Sequence, residues 1–349
     1  MNFDLDDNQR QFKSTVERFA GTGDAARYKA ARAHGGGVDS ARWAELASLG
    51  VLGLAAADAD GGLGGSLLDC VVVAETLGRG MAPEPWLEAA YLPLRLLAGL
   101  GGDLSARIAD GSVRVAVAMA EPGQRYRTDP RLVRAVHHAG GWTLAGRKTF
   151  VLSGAAADTY LDTAATDAGP ALFAVPAADV QAVAYVVADG SRAADFALYD
   201  APAVWLGVPD IDRAVTATRL MAAAEMIGLA QKLFDETLAY VRERRQFGQP
   251  LGRFQVIQHR LVDAYASLEQ MRSLLWRTAM TDAPGAEVSG CKAFVGEGAL
   301  AIGHEAIQLH GGMGVTDDLA IGHAHKRILL LSKLFGDPAT DLDSFAVAA

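Results

Sequence analysis

Val113-Arg-Val-Ala-Val-Ala-Met119 is where this chain changes period. Its valines recur at every second position, the spacing of a half-buried strand. The residues before it follow the three-four spacing of helices, and so do those after Pro202. The chain therefore reads as helical, then β, then helical. An α+β multidomain protein is expected, with an N-terminal helical domain at 1–112, a middle antiparallel β-barrel or sandwich at 113–204, and a C-terminal four-helix bundle at 205–349.

On the N-terminal side, Phe3-Asp-Leu-Asp-Asp-Asn-Gln-Arg-Gln-Phe12 starts acidic, as suits a helix N-terminus, and Phe12, Val16, Phe19 and Ala20 share a face. Gly35-Gly36-Gly37 breaks the pattern. A second helix carries Trp43, Leu46 and Leu49 and ends at Gly50. A third covers Leu68 to Leu77 and is ended by Gly78 and Gly80. The cluster Gly61-Gly-Leu-Gly-Gly65 follows no strand and lacks GxGxxG spacing, so it is no dinucleotide fingerprint.

Beyond Met119, Ala135–Leu144 alternates in part, with Gly140-Gly141 as a hairpin signal. Thr149–Leu152, Ala171–Val175 and Ala182–Val187 are further strand candidates. Helices follow at about 213–242, 253–281, 286–312 and 318–334. Gly336-Asp337-Pro338 marks a turn or an end.

The chain has 349 residues, too many for one simple core, so two or three compact units are expected. A net charge of −9 argues against nucleic acid as the main partner, since phosphate binding needs a dense basic face. Cys70 and Cys291 share no CxxC or Cys/His pattern, which points to a reducing, cytoplasmic setting without disulfide or zinc. No metal site is expected from the histidines. The N-terminus has no signal-peptide core, and no apolar run approaches the roughly 20 residues that span a bilayer.

Glu225 is the only ionisable residue in Leu220-Met-Ala-Ala-Ala-Glu-Met-Ile-Gly-Leu-Ala230. Met221, Ala222, Gly228 and Leu229 lie three and four positions away on a helix. A carboxylate there is paired with an Arg such as Arg219, or solvated by a cavity, or raised in pKa as a general base for a C–H proton requires. Arg242-Glu-Arg-Arg-Gln-Phe-Gly-Gln-Pro-Leu-Gly252 closes the same helix. Its arginines either complement the helix dipole or clamp a diphosphate, with Phe247 offering a ring edge to a flat cofactor. Gln308-Leu-His-Gly-Gly-Met-Gly314 is either an αα-turn or a surface that lets a dinucleotide pass close by. His310 there reads better as a hydrogen-bonded structural residue than as a catalyst.

Taken together these stretches resemble the flavin-dependent acyl-CoA dehydrogenase family over nearly the whole chain. The resemblance is carried by Trp43–Leu54, Gly61–Gly64, Glu75-Thr-Leu-Gly-Arg79, Ala120-Glu-Pro122, Gly146–Gly154, Arg244–Gln249, Phe254-Gln255, Gln258 and Gln308–Gly314. It implies FAD, a CoA thioester substrate and αβ-dehydrogenation, with an electron-transfer flavoprotein as acceptor. It also implies that FAD lies across a dimer interface, where Arg244, Gln246, Phe247, Gln308, Gly311, Gly312 and Gly314 meet its diphosphate and adenosine.

Departures from the family pattern narrow the resemblance. The family's Thr-Glu-Pro is here Ala120-Glu121-Pro122, and Arg125 and Tyr126 put bulk where small residues normally sit. The Trp-Ile-Thr segment, whose Thr bonds the flavin ring, is Phe150-Val151-Leu152. The usual base position falls on Phe335, before Gly336, which leaves Glu225 as the candidate base and Asp337 as the lesser one. These losses resemble the short subunits of bacterial heteromeric acyl-CoA dehydrogenases, which act on bulky acyl-CoAs such as steroid side-chain fragments. The expected function is an acyl-CoA dehydrogenase subunit, homo- or hetero-oligomeric in a dimer of dimers. The alternative is a non-catalytic partner that completes the FAD site of a sister chain. A flavin oxidase on the same fold is a third possibility.

Overall fold

The computed structural model describes residues 4–33, 37–281 and 283–348. Phe3, Gly35 and Gly36 of the stretches quoted above lie outside the described residues. The chain forms two compact units, one of residues 1–29, 67–82 and 219–349, the other of 30–66 and 83–218.

In the first, the helical unit, α1 (Asp7–Ala20) starts with a capping box between Asp6 and Gln9 and buries Val16, Phe19 and Ala20, the expected face. α4 (Leu67–Arg79) does not stop at Gly78. A Cβ at Gly78 would overlap the carbonyl oxygen of Glu225, and one at Gly228 would overlap that of Glu75. Glycine here lets two helix backbones touch, a use the sequence pattern does not distinguish from a helix end. The other helices of this unit are α7 (Ile211–Glu243), which begins just before it, α8 (Gln255–Met280), α9 (Gly285–His310), α10 (Ala320–Lys333) and α11 (Pro338–Ala348). The four expected C-terminal helices match α7 to α10, and α11 is a fifth. Gly336-Asp337-Pro338, expected as a turn or an end, makes the turn that leads into that helix. Pro338 is its first residue, and Asp337 Oδ1 accepts the Thr340 N–H at 2.9 Å, the role of an N-cap.

The second, the sheet unit, holds the last four residues of α2 (Ala25–Ala33), α3 (Ser40–Ser48), the π-helical turn Leu87–Tyr91 continuing as α5 (Leu92–Leu97), and α6 (Leu104–Ala109). Its strands are β1 (Val115–Ala118), β2 (Arg134–His138), β3 (Gly141–Leu152), β4 (Thr159–Thr166), β5 (Gly169–Pro176), β6 (Gln181–Val186) and β7 (Arg192–Gly207). They make a seven-stranded sheet in the order β1-β4-β2-β3-β7-β5; β6 pairs β7, and β4 also pairs β5. Pairing is mostly antiparallel, with β1 running parallel to β4. Leu144, Val151, Tyr160, Phe173, Phe196 and Leu198 fill its core.

The strands β4 and β7 carry no clear alternation. β4 is buried along most of its length, on both faces, with Asp162 and Thr163 among its buried residues, so the period-two signal vanishes. β7 contains Pro202, paired with Thr143 of β3. On the other side β6 pairs only residues 192–197 and β5 only 204–207, so Pro202 lies where β7 has a free edge and needs no donor. We propose 1–112, 113–204 and 205–349 as the domains of the chain by periodicity. Among the described residues no helix is long and apolar enough to cross a membrane.

Candidate functional site

At the end of α7 the chain turns through a tight hairpin, β8 (Arg245–Gln246) and β9 (Gln249–Pro250). The two-residue loop is Phe247-Gly248, both at positive φ, 52° and 83°, as the hand of such hairpins requires. Phenylalanine is a poor choice there, at a cost of about 1–3 kcal/mol, and the residue is 90% exposed. Arg244 and Gln246 are exposed beside it, and Arg244 makes no ion pair among the described residues.

The end of α9 belongs to the same region. Tyr240 on α7 stacks on His310 with ring centroids 4.3 Å apart, and Leu309 packs against the cluster of Val241, Ile257 and Leu261. His310 Nδ1 lies 2.8 Å from the Ala306 carbonyl oxygen, which makes it a structural residue. Gln308 is exposed. Gly311 has φ 63°, and a Cβ on Gly311 or Gly312 would meet nothing within 4 Å, whereas one on Gly314 would lie 2.8 Å from the Ile307 carbonyl oxygen. An unpaired guanidinium, an exposed ring and an open glycine turn suit an anionic diphosphate joined to a flat base. The residues present fit the outer part of a dinucleotide such as FAD.

Glu225 lies on α7 among Met221, Ala222, Ala223, Ala224, Met226 and Ile227, all fully buried. It is paired, but not with Arg219. Arg327 of α10 forks onto it, Nε to Oε1 at 2.7 Å and Nη2 to Oε2 at 3.1 Å. Arg219 instead meets the fully buried Asp341, which also takes Lys292 Nζ at 2.8 Å. Sequence spacing favoured Arg219 because it is close along the chain; Arg327 comes from a helix that no local pattern links to Glu225. Asp337 is engaged in capping α11.

In the sheet unit, Glu121 and Lys148, both inside stretches that carried the family resemblance, are fully buried and paired at 3.1 Å. Glu121 accepts the backbone N–H groups of Arg131, Leu132 and Val133 at 2.9, 2.6 and 3.1 Å. Burial works against its charge, but Lys148 and these three donors outweigh it and hold its carboxyl below the usual range. Lys148 also reaches the Thr163 carbonyl oxygen at 2.7 Å and Asp162 at 3.5 Å. Burial pushes the Asp162 carboxyl up to about 7, against the pull of Lys148. These motif residues therefore fix the loop after β1 to the sheet.

Phe150 sits in a β3 bulge at φ 54°, 40% exposed, with its N–H donated to Asp195 Oδ1 at 2.8 Å. Leu152 is nearly buried. Arg125, at φ 45°, lies over the Tyr126 ring at 4.8 Å. The Asp195 contact had no sequence signal, because β7 itself was not legible.

Comparison with known proteins bears on all of this. Residues 6–91 match the model of the acyl-CoA dehydrogenase N-terminal domain and 207–346 that of the C-terminal domain. The acyl-CoA dehydrogenase FadE27 of Mycobacterium tuberculosis is 30% identical over 328 residues, covering 84% of this chain and 83% of the relative. The acyl-CoA dehydrogenase IpdE2 of Mycolicibacterium smegmatis is 27% identical, covering 88% and 87%. Among solved structures, the Tcur3481-Tcur3483 steroid ACAD (G363A variant) superposes with a TM-score of 0.88 at 30% identity over 97% of both chains. The ChsE4-ChsE5 complex from Mycobacterium tuberculosis, at 24% identity and a TM-score of 0.89 over 99% and 98%, shares the fold.

Proposed function

Because the chain belongs to the acyl-CoA dehydrogenase family of FAD-dependent oxidoreductases, we propose that it is one subunit of an oligomeric acyl-CoA dehydrogenase and that its helical unit receives the adenosine and diphosphate side of FAD. The observation that carries this reading is Arg244, an exposed guanidinium without an ion pair among the described residues, on a hairpin tipped by an exposed phenylalanine. Arg244 would bind the diphosphate. Gln246, Phe247 and Gln308 would flank it, Gly311 and Gly312 would admit it close to the backbone, and Gly314, packed on the Ile307 carbonyl oxygen, would hold the shape of that turn. In the sheet unit, Phe150–Leu152 would border the ring of a FAD whose adenosine side meets the neighbouring chain. When bound, FAD supplies the acceptor for the hydride that leaves the β-carbon of the thioester. The two-chain Tcur3481-Tcur3483 steroid ACAD, 30% identical to this chain, supports pairing with a second, different chain and a bulky acyl-CoA. An electron-transfer flavoprotein as acceptor and a cytoplasmic location complete the reading. Expressing the chain alone and with a sister chain tests it. A yellow protein that acyl-CoA bleaches supports it, and a colourless protein in both preparations overturns it.

Within this reading Glu225 is the candidate to take the thioester's α-proton, which requires Arg327 to release one of its oxygens. A second reading is favoured by the fork at 2.7 and 3.1 Å: the pair is a structural tie between α7 and α10, and the proton is taken by the sister chain. The Glu225→Gln variant separates them. As base, its loss abolishes acyl-CoA-dependent dye reduction in protein that is still folded and still holds flavin, whatever loss of the fork costs in melting temperature. As tie, its loss costs about 1–3 kcal/mol of stability and activity falls only with the folded fraction.

A further inference from the structure

We infer that Asp195 is a positioning residue: its carboxylate, shared between the Phe150 N–H and the Tyr185 hydroxyl, fixes the left-handed turn that presents the Phe150 ring to the flavin. This rests on the reading above that Phe150 borders the flavin ring. The geometry begins with register. β3 pairs β7 through Lys148 with Phe196 and through Val151 with Ala194, so Thr149 and Phe150 form a bulge opposite Asp195. On the other side of β7, Val183 of β6 faces Asp195, and Tyr185 lies two residues on, on the same face. One side chain on the strand between them thus reaches both neighbours. Oδ1 of Asp195 accepts the Phe150 N–H at 2.8 Å and the Tyr185 hydroxyl at 2.8 Å.

The bulge leaves the Phe150 N–H with Asp195 as its partner in place of a ladder carbonyl. The left-handed region is uncommon for a bulky residue, so φ 54° at Phe150 persists only if something over-determines it. Burial and Asp195 push the Tyr185 phenol up to about 12, so it remains a donor throughout the working range. Without the carboxylate, the turn is free to relax to negative φ, and the ring, now 40% exposed, swings away from its present direction.

The test uses the purified, FAD-loaded protein and a double-variant cycle. Readouts are the FAD dissociation constant, the shape of the flavin visible band and the melting temperature. The Asp195→Ala variant should weaken FAD by about tenfold, the size of one lost charge-assisted hydrogen bond, and alter the band. Asp195→Asn, which keeps an acceptor, should stay within about threefold. Phe150→Gly should itself weaken FAD and alter the band. Glycine holds positive φ without strain and has no ring to place, so adding Asp195→Ala to it should change FAD affinity by less than about twofold. Losses that multiply in the double variant overturn the inference, because Asp195 would then act independently of Phe150. Phe150→Gly with an unchanged band and affinity overturns instead the placement of Phe150 beside the flavin. Asp195→Ser, too short to span to Phe150, is carried in parallel and decides the matter in the same way if the alanine variant does not fold.

Discussion

Each unit of this protein buries a lysine completely, and the two lysines are balanced in opposite ways. In the sheet unit Lys148 faces two carboxylates, Glu121 and Asp162, at 3.1 and 3.5 Å. In the helical unit Lys292 shares a single carboxylate, Asp341, with Arg219. Counted by ion pairs alone, the first cluster carries one negative charge too many and the second one positive charge too many, with Asp337 nearby offsetting part of the second. The consequences follow in the titrating groups. Surplus negative charge adds to burial in pushing Asp162 up to about 7. At the other cluster burial pushes the Lys292 ammonium down against the pull of Asp341, and Arg219 adds to the fall. A buried charge is tolerated because of the company it keeps, and the sign of the imbalance decides which member gives way.

The largest test of this contrast is Lys148→Met. It leaves Glu121 and Asp162 buried without a cation, and unfolding by denaturant should show a loss of about 3–5 kcal/mol. Lys292→Met should cost less, about 1–3 kcal/mol, because Arg219 remains on Asp341. Equal losses would mean that the surplus charges are irrelevant. The smallest effect concerns pH. The Asp162 value of about 7 in the folded protein lies above its ordinary 3.8, so its protonated form favours folding. That contribution is complete below about pH 4 and is lost as pH rises through about 7. Stability measured across this window should fall in the native protein, and Asp162→Asn should remove that part of the slope.

These clusters also show where the sequence was readable. The three-part order came from two changes of period, at Val113–Met119 and after Pro202, because helix and strand bury side chains at different spacings. The hairpin at Arg244–Gln249 and the turn at Gln308–Gly314 were marked by Arg, Phe and Gly in short range, and the structure puts both at one end of the helical unit through Tyr240 and His310. Glu225 was legible as an oddity but its partner was not. Arg327 lies 102 positions away, and nothing local distinguishes it from Arg219. Asp162 and Asp195 were hidden for a related reason. They sit on β4 and β7, one buried on both faces and the other interrupted by Pro202, so neither strand alternates enough to announce itself. Glu121 and Lys148 were recognised as motif residues, yet a motif does not say whether its members face a ligand or one another.

The sealing of Lys148 and Lys292 offers a way to watch the protein come apart. Both amines are fully enclosed, each held by backbone carbonyl oxygens as well as carboxylate. An acylating reagent will mark surface lysines at once and these two only when their surroundings open. Mass spectrometry of partly labelled protein would then time the two units separately, with each lysine serving as the clock of its own half.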